Sequence, residues 1–443
     1  MRVRFWGTRG SIAKPGRTTL RYGGNTSCVE VRAADGTLVV LDSGTGAHDL
    51  GLALAAAGGE SRRGHLLISH THWDHIQGFP FFEPLFVPGN EWGVYAPGGR
   101  AGDLEDALAG QMAYEYSPIA IEALEADVRF HSLTEGVFEV GGIRVTTRYL
   151  NHPALALAYR LEADGATLVY ATDHEPHSLH PIGALPGATP VHHEDRRHAR
   201  FFEDADLVIH DGQYTLDDFP AKAGWGHTPV ETAVDYAMLA RAKRLVFTHH
   251  DPQRDDAAID RMGQVAGERA ADGDGTPEVT AAAEGRVVEL SGPADRGLRP
   301  VETEVSALLD RAPRRASTVL VVDDDPDMAE LLEETLRIDG VRVLRAGDGE
   351  SAVRIARSDR PTLILLDMNL PGFGGLDVCR TLRSESDPRL RDVPIVVLTG
   401  AKLKETDLLE GFRAGATDYL TKPVKPTLVR SRVRGWLLRT ASG

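Results

Sequence analysis

The chain has 443 residues, 26% of them charged and 42% hydrophobic, and its formal net charge is −16. These values suit a globular protein of two or three domains, and the presence of only two cysteines excludes a disulfide framework. No apolar run approaches the roughly 20 residues that a membrane span requires, and Met1–Gly10 has no hydrophobic signal core, so we expect a cytoplasmic protein.

The first predicted elements are strands. Four segments have the apolar or alternating residues of strands in one sheet: Val3–Trp6, Ser27–Arg32, Thr37–Asp42 and Leu66–Ser69. Asp35-Gly36 is a turn signal, which predicts that the second and third of these strands form a hairpin.

A cluster of potential metal ligands follows the fourth strand, in the sequence His70-Thr71-His72-Trp73-Asp74-His75. Residues i and i+2 of an extended segment point the same way, so His70 and His72 can bind one ion. Asp74 and His75 lie where the chain would enter a helix and can bind a second ion. Imidazole and carboxylate ligands suit zinc, and less selectively manganese or iron, and a pair of such ions makes water nucleophilic at neutral pH.

Three later strands also end at potential ligands: His152 after Arg144–Tyr149, Asp173 after the hairpin Leu157–Ala171, and His249 after Arg244–Thr248. Taken singly, each of the three could be an ordinary loop residue. Their order at successive strand ends favours one shared site.

The His-x-His-x-Asp-His sequence after a buried strand resembles the first metal motif of the metallo-β-lactamase-fold hydrolases. The resemblance implies an α/β domain over residues 1–290, built as a four-layer αββα sandwich with two metal ions, Zn²⁺ or Mn²⁺/Fe²⁺, at the shared edge of its sheets. It implies one ion at His70, His72 and His152, a second at Asp74, His75 and His249, and Asp173 as the bridge. A Thr-His pair at a strand end matches the family's last ligand, which favours His249 over His250.

Three segments resemble the phosphodiesterase-like branch of this fold, which includes ribonuclease Z: Arg21–Cys28, Leu41–Gly46 and Gly226–Pro229. A Gly-His-Ser/Thr histidine of that branch handles the scissile phosphate, so the resemblance gives His227 a catalytic role beside Asp74. A histidinium can neutralise charge on phosphate oxygens and protonate a leaving alkoxide. His227 could instead cap or pack at the start of the helix predicted over Val230–Arg241.

The chain departs from ribonuclease Z because it lacks a Gly-rich basic arm. Pro88–Pro118 is more acidic than basic, and basic clusters elsewhere, such as Arg62-Arg63, are short. A nucleic-acid enzyme needs a basic surface to offset phosphate repulsion, so we expect a small phosphodiester, such as a cyclic nucleotide, as the substrate. Fold alone does not fix the substrate, so two alternatives stay open: a lactone or thioester hydrolase on the same metal site, and a non-catalytic module that senses metal or ligand.

A histidine-rich stretch follows Asp173 and contains His174, His177, His180, His192, His193 and His198. A third metal site is one interpretation of it, and an active-site flap with solvent-facing histidines is the one that we favour. His48 and His210 are candidates to contact metal ligands without binding the metal themselves, and Asp211 is a candidate to orient a ligand imidazole.

Residues 291–317 have the composition of a linker, and a second domain is expected over residues 318–440. Its apolar strands end in polar residues: Val319–Val322 before Asp323-Asp324-Asp325, Leu363–Leu366 before Asp367, Ile395–Leu398 before Thr399, and Tyr419–Thr421 before Lys422. Continuous apolar strands that alternate with helices predict a parallel sheet with its functional residues at the carboxyl edge.

This second domain resembles the receiver domain of two-component response regulators, which has the flavodoxin-like (βα)5 fold, and Asp367–Gly375 and Lys422-Pro423 are the specific motifs. The resemblance implies phosphorylation of Asp367, Mg²⁺ bound at Asp323, Asp324, Asp367 and Asn369, and a switch formed by Thr399, Tyr419 and Lys422. A solvated acidic turn and a core role for Tyr419 are the competing interpretations. We therefore expect a response regulator whose phosphorylation by a sensor histidine kinase controls a hydrolase, with homodimerisation as one form of assembly and no membrane partner.

Overall fold

The chain forms two compact units, Met1–Ala312 and Pro313–Gly443. This computed structural model describes residues 1–57, 63–98, 103–177, 193–272, 277–292, 317–338, 340–400, 411, 414–424 and 426–441. No helix in these ranges is both long enough and apolar enough to cross a membrane.

The first unit contains two seven-stranded sheets. Its strands are β1 (Arg2–Gly7), β2 (Cys28–Arg32), β3 (Leu38–Leu41), β4 (Arg63–Leu67), β5 (Glu91–Pro97), β6 (Asp127–Leu133), β7 (Gly136–Val140), β8 (Ile143–Tyr149), β9 (Leu157–Ala163), β10 (Ala166–Ala171), β11 (Leu207–Asp211), β12 (Arg244–Thr248), β13 (Glu278–Ala281) and β14 (Val287–Glu289). Its helices are α1 (Gly46–Ala57), α2 (Trp73–Ile76), α3 (Asp103–Gln111), α4 (His193–Phe201), α5 (Phe219–Lys222), α6 (Val230–Leu239) and α7 (Asp256–Ala271).

The two sheets have similar designs. The first runs in the order β14-β1-β2-β3-β4-β5-β6 and the second in the order β13-β12-β11-β10-β9-β8-β7. The pairs among β14, β1, β2 and β3 are antiparallel, and those among β3, β4, β5 and β6 are parallel. The second sheet is antiparallel from β7 to β10 and parallel from β10 to β13.

Helices cover one face of each sheet. Leu50 of α1 packs in a cluster with Val40 and Leu66 of the first sheet. Val234 of α6 packs with Phe247 of the second. The other faces meet each other: the hydroxyl of Tyr159, on β9, donates to the carbonyl of Ile68 at 2.6 Å, and every residue of β9 and β10 is buried. The predicted αββα sandwich is confirmed.

The second unit contains one parallel sheet in the order β16-β15-β17-β18-β19. Its strands are β15 (Thr318–Val322), β16 (Arg342–Ala346), β17 (Leu363–Asp367), β18 (Ile395–Gly400) and β19 (Asp418–Lys422), and its helices are α8 (Pro326–Arg337), α9 (Gly349–Asp359), α10 (Gly375–Arg383), α11 (Pro388–Arg391) and α12 (Pro426–Ala441). Apolar clusters lie on both faces of the sheet. The predicted flavodoxin-like fold is confirmed, and the predicted bounds of the linker and of the two domains stay predictions.

Candidate metal centre

The His-rich motif begins just after β4 and ends inside α2. The backbone N–H of Ser69 donates to Asp42 Oδ1 at 2.6 Å, which ties the residue before the motif to the end of β3. His70, Asp74 and His75 are buried, whereas His72 is exposed. The motif therefore has one open side, at His72.

The structure brings the three side chains of the predicted first metal site together. His152 Nε2 lies 3.1 Å from His72 Nδ1, and the ring of His70 lies 4.5 Å from that of His72 and 4.7 Å from that of His152. His70 Nε2 is buried and has no hydrogen-bond partner among the described residues. Ring nitrogens that face one another at this distance need a cation or a shared proton between them, so these residues fit a metal ion.

The side chains of the predicted second site also converge. Asp74 Oδ2 lies 3.1 Å from His249 Nε2 and 3.2 Å from His75 Nε2, and the two imidazole nitrogens are 3.3 Å apart. Asp173 lies between the two groups, with Oδ1 3.8 Å from His70 Nε2 and Oδ2 3.3 Å from His75 Nε2. One carboxylate oxygen thus faces each set of ligands, which is the arrangement that a bridging residue requires.

Strained backbone holds part of this centre. Asp173 and His249 have φ values of 60° and 61°, and Asp42 has a φ of 60°. Such left-handed conformations are costly for residues with a Cβ and persist where the surroundings enforce them, often at functional sites. The residues that follow β3, β10 and β12 therefore hold their side chains in position at a cost in local stability.

Residues outside the ligand set fix the imidazole rings. Asp42 Oδ2 lies 2.8 Å from His75 Nδ1, and the Gly226 carbonyl lies 3.0 Å from His152 Nδ1. Both acceptors hold the ring proton on Nδ1 and leave Nε2 for a cation. We had given Asp42 no role, although the motif Leu41–Gly46 contains it.

Burial is the largest influence on the pKa values of these histidines, and it favours the neutral form that can bind metal. Burial lowers the pKa of His152 to about 3. Burial also acts on His249, but Asp173 and Asp74 outweigh it and raise the pKa to about 9. Burial opposes ionisation of Asp74, yet His75 and His249 hold the pKa of its carboxyl well below the ordinary value. Cation binding at this half of the centre therefore releases protons.

His227 lies at the edge of the centre. Its Nδ1 is 2.8 Å from Asp211 Oδ2 and 3.8 Å from Asp173 Oδ1, and its ring stacks on that of His249 with centroids 4.9 Å apart. Asp211 is fully buried. The sequence makes Asp211 a candidate to orient a ligand imidazole, and the structure pairs it with the imidazole of His227, because the chain after β11 bridges to Pro229.

The prediction of a flap with solvent-facing histidines was wrong for His174, His177 and His198, which are the three of these histidines whose side chains the structure describes. His174, His177 and His198 are buried, because α4 places Asp195 and His198 on its buried face. His174 stacks on His198 with centroids 3.7 Å apart, and His198 Nε2 lies 2.9 Å from His210 Nε2. His180 and His192 lie outside the described residues, as does the side chain of His193.

This second histidine cluster does not suit a metal as well as the first. His174, His177 and Asp195 place potential ligand atoms within 4.8 Å of one another. However, the backbone N–H of Asn151 donates to His174 Nδ1 at 3.2 Å. A neutral ring then carries its proton on Nε2 and has no lone pair there for an ion. We therefore interpret the cluster as packing that supports the loop after Asp173.

Two other candidates lie away from the ligands. His48 is exposed, with its ring 3.2 Å from Asp49, so it supports no metal ligand. His210 is buried against His198 and bonds the carbonyl of Asp211 at 2.7 Å, so it steadies the strand end that carries Asp211.

The second unit places its predicted residues at one edge of the sheet. Lys422 Nζ lies 2.8 Å from Asp323 Oδ2 and 2.7 Å from Asp367 Oδ2, and the Asn369 N–H donates to Asp367 Oδ1 at 3.0 Å. The hydroxyl of Thr399 is buried and has no hydrogen-bond partner among the described residues.

The remaining predicted residues at that edge differ in how exposed they are to solvent. Asp324 is exposed, as suits a ligand of a hydrated ion. Asp325 caps α8, accepting from the N–H of Asp327, and Tyr419 is half-buried against the core cluster.

Comparison with known proteins follows the same division of the chain. Residues 39–250 match the beta-lactamase superfamily domain, and residues 319–434 match the response regulator receiver domain. The chain joins a beta-lactamase-fold domain to a response regulator receiver domain.

Among curated proteins, the receiver domain is similar to the DNA-binding response regulator MtrA of Mycolicibacterium smegmatis, with 48% identity over 121 residues, which is 27% of this chain and 50% of that protein. The chain thus spans about half the length of this relative. Among solved structures, the metallo-beta-lactamase fold protein YhfI of Bacillus subtilis is 18% identical, with 65% of this chain and 98% of that one covered and a TM-score of 0.46. A putative response regulator of Chloroflexus aurantiacus is 37% identical, with 28% and 98% covered and a TM-score of 0.26.

Proposed function

We propose that the beta-lactamase-fold domain is a dinuclear metal-dependent hydrolase of a small phosphodiester, such as a cyclic nucleotide, and that phosphorylation of Asp367 controls it. The observation that carries the proposal is the buried Asp211–His227 pair beside seven converged ligand side chains. Hydrolases of this fold share the metal ligands across several substrate classes. Hydrolysis of a lactone or a thioester would not need the imidazole of His227, whereas hydrolysis of a phosphodiester is helped by an imidazole that is held by a carboxylate.

The seven side chains would hold two metal ions. Their imidazole and carboxylate donors suit Zn²⁺, and also Mn²⁺ or Fe²⁺. His70, His72 and His152 would hold one, Asp74, His75 and His249 the other, and Asp173 both. Bound there, the ions supply positive charge to the phosphate and lower the pKa of water.

The chain's own residues supply the rest of the chemistry. Water adds to phosphorus and releases a proton to solvent, and one bond from phosphorus to an ester oxygen breaks. The products are a phosphomonoester and an alcohol, which are parts of one molecule when the substrate is a cyclic diester. The Asp74 and Asp173 carboxylates face the centre and orient the attacking water. Asp211 holds Nδ1 of His227, so Nε2 meets the substrate, where the imidazolium offsets charge on the phosphate and gives its proton to the departing alkoxide.

The receiver domain supplies regulation. Asp367 lies within hydrogen-bond distance of Lys422 and shares the sheet edge with Asp323, which suits transfer of a phosphoryl group to Asp367 with Mg²⁺ bound by the acidic residues. A sensor histidine kinase is the proposed phosphodonor.

His227→Ala tests the assignment to phosphodiesters. We expect turnover of a phosphodiester to fall by about 10²-fold or more, the range for a general acid, with metal content unchanged. Asp211→Asn should lower turnover less, because the imidazole stays but loses its carboxylate. His48→Ala removes an exposed imidazole and serves as the matched control. Equal turnover by His227→Ala and wild type would make His227 a packing residue and would remove the support for a phosphodiester substrate.

A further inference from the structure

Two exposed tryptophans stand beside the metal centre and have no part in the chemistry proposed above. Trp73 lies between the ligands His72 and Asp74 and is 66% exposed, and Trp225 precedes Gly226-His227 and is 57% exposed. Tryptophan is normally largely buried, and an exposed aromatic next to a site is characteristic of binding surfaces.

Both tryptophans are next in sequence to residues at the open side of the centre. His72 is the exposed ligand, and its Nδ1 lies 3.1 Å from His152 Nε2. The other nitrogen of the His152 ring lies 3.0 Å from the carbonyl of Gly226. The His152 ring therefore contacts both the residue that precedes Trp73 and the residue that follows Trp225, so the two tryptophan positions lie on either side of one proposed ligand.

The surroundings of Trp225 suit an anionic, planar ligand. Lys222 Nζ lies 4.6 Å from the centroid of the indole and 5.6 Å from that of Tyr214, whose ring lies 5.9 Å from that of His227. The cation covers one face of Trp225 and leaves the rest of the exposed ring available. In a chain with a net charge of −16, this lysine also offers local attraction for an anion.

The loop of Trp225 is held firmly. The Glu175 carboxylate accepts from the N–H groups of Gly224 at 2.9 Å and Gly226 at 2.7 Å, and it is buried. An indole on a fixed loop costs little entropy to order, so it suits a stacking platform.

We propose that Trp225, with Lys222 behind it and Trp73 on the other side of His152, binds the base of a nucleotide, so that the substrate is a nucleoside phosphodiester and not an alkyl one. The proposal rests on the phosphodiesterase function proposed above. Any base can stack on an indole, so this site would favour substrates that carry a base but would not distinguish one base from another.

The test compares a cyclic diester that carries a nucleoside with one that carries neither ribose nor base. Cyclic AMP carries adenine, and trimethylene phosphate has the same six-membered cyclic diester without ribose or base. We expect wild-type protein to prefer cyclic AMP by about 10-fold or more in kcat/KM, mainly through KM, as the loss of one stacked base predicts. Trp225→Ala should bring the ratio close to one with metal content unchanged, and Trp225→Phe should keep most of it. A wild-type ratio near one, or a ratio that Trp225→Ala leaves unchanged, would overturn the proposal.

A binding measurement separates this inference from the proposed function. If the metal-loaded protein hydrolyses neither diester, the phosphodiesterase proposal fails, and AMP binding then decides the inference. We expect AMP to quench the tryptophan fluorescence of wild type and to do so much less in Trp225→Ala, with ribose 5-phosphate inactive in both. Equal quenching in the two proteins would exclude a base site at Trp225.

Discussion

At the scale of the residue, the chemistry of a ligand depends on a neighbour that binds no metal. Asp42 is fully buried and accepts hydrogen bonds from Ser69 and from the hydroxyl of Tyr170, at 2.6 Å for the latter, while it holds His75 Nδ1. A carboxylate can only accept, so it fixes which nitrogen of His75 is available. The second metal ion should therefore depend on Asp42 nearly as much as on its ligands.

Asp42→Asn should lower affinity for the second ion by roughly 10- to 100-fold, as removal of a carboxylate partner of a ligand histidine does. Competition with a chromophoric chelator during Zn²⁺ titration measures the affinity of each ion separately. Asp127→Asn, an exposed carboxylate on β6, is the matched control. An unchanged second affinity in folded Asp42→Asn would show that His75 needs no such partner.

Some residue roles can be predicted from the sequence pattern, and others can be recognised only in the fold. The seven proposed ligand positions can be read from strand ends and one motif, because ligands of one ion must come from strand ends that meet. The roles of Asp42 and Asp211 depend on which strand ends are neighbours in space: Asp42 is 33 residues before His75, and Asp211 is 16 before His227. Only the fold pairs them.

At the scale of the element, glycines allow the loops to approach the ligand rings. A Cβ on Gly226 would lie 2.3 Å from His152 Nδ1, and its φ is 89°. A Cβ on Gly224, two residues earlier, would meet no atom within 4 Å, although its φ is 85°. The two positions thus share backbone strain, and only Gly226 has a steric requirement.

Gly226→Ala and Gly224→Ala separate these effects. Each should lower the free energy of unfolding by about 1–2 kcal/mol, since alanine disfavours positive φ. Only Gly226→Ala should also displace His152 and weaken metal binding by 10-fold or more. Thermal melts of metal-free protein and Zn²⁺ titrations give the two quantities. Equal metal affinities for the two variants would mean that the loop moves without disturbing the ligand.

The strands that we predicted are the ones with long apolar runs or clear turns, such as β9, β12 and β17. Our prediction of the first sheet lacked β5 and β6, and that of the receiver lacked β16. β5 contains Gly93 and Pro97, and β16 lies at a sheet edge and contains two charged residues, Arg342 and Arg345. Such segments are stabilised by their neighbours in the sheet more than by their own composition. The sequence pattern also did not predict α4, because most residues of this helix are polar and it buries His198.

At the scale of the whole molecule, a proposed phosphorylation site and a proposed metal centre share one chain. The receiver can change the activity of the neighbouring domain only by the difference in how its two states interact with that domain. The two sites are therefore expected to be separable chemically and linked energetically.

A small phosphodonor with Mg²⁺ should label Asp367 and no other residue. The label should be absent in Asp367→Asn and strongly reduced in Asp324→Ala, which loses a proposed metal ligand. We expect phosphorylation to change hydrolysis several-fold or to shift dimerisation, and activity and molecular mass with and without the donor measure both. Labelling that moves neither quantity would show that the domains share a chain without a regulatory link.

The most direct test of the central claim is phosphodiester hydrolysis as a function of bound metal. Metal-free protein is loaded with increasing Zn²⁺ or Mn²⁺, the bound ions are counted by elemental analysis, and cyclic AMP turnover is measured at each step. We predict that turnover rises until two ions per chain are bound and that Asp173→Asn, without the bridging carboxylate charge, prevents that rise. Full turnover at one ion, or no phosphodiester turnover at two, would contradict a dinuclear phosphodiesterase.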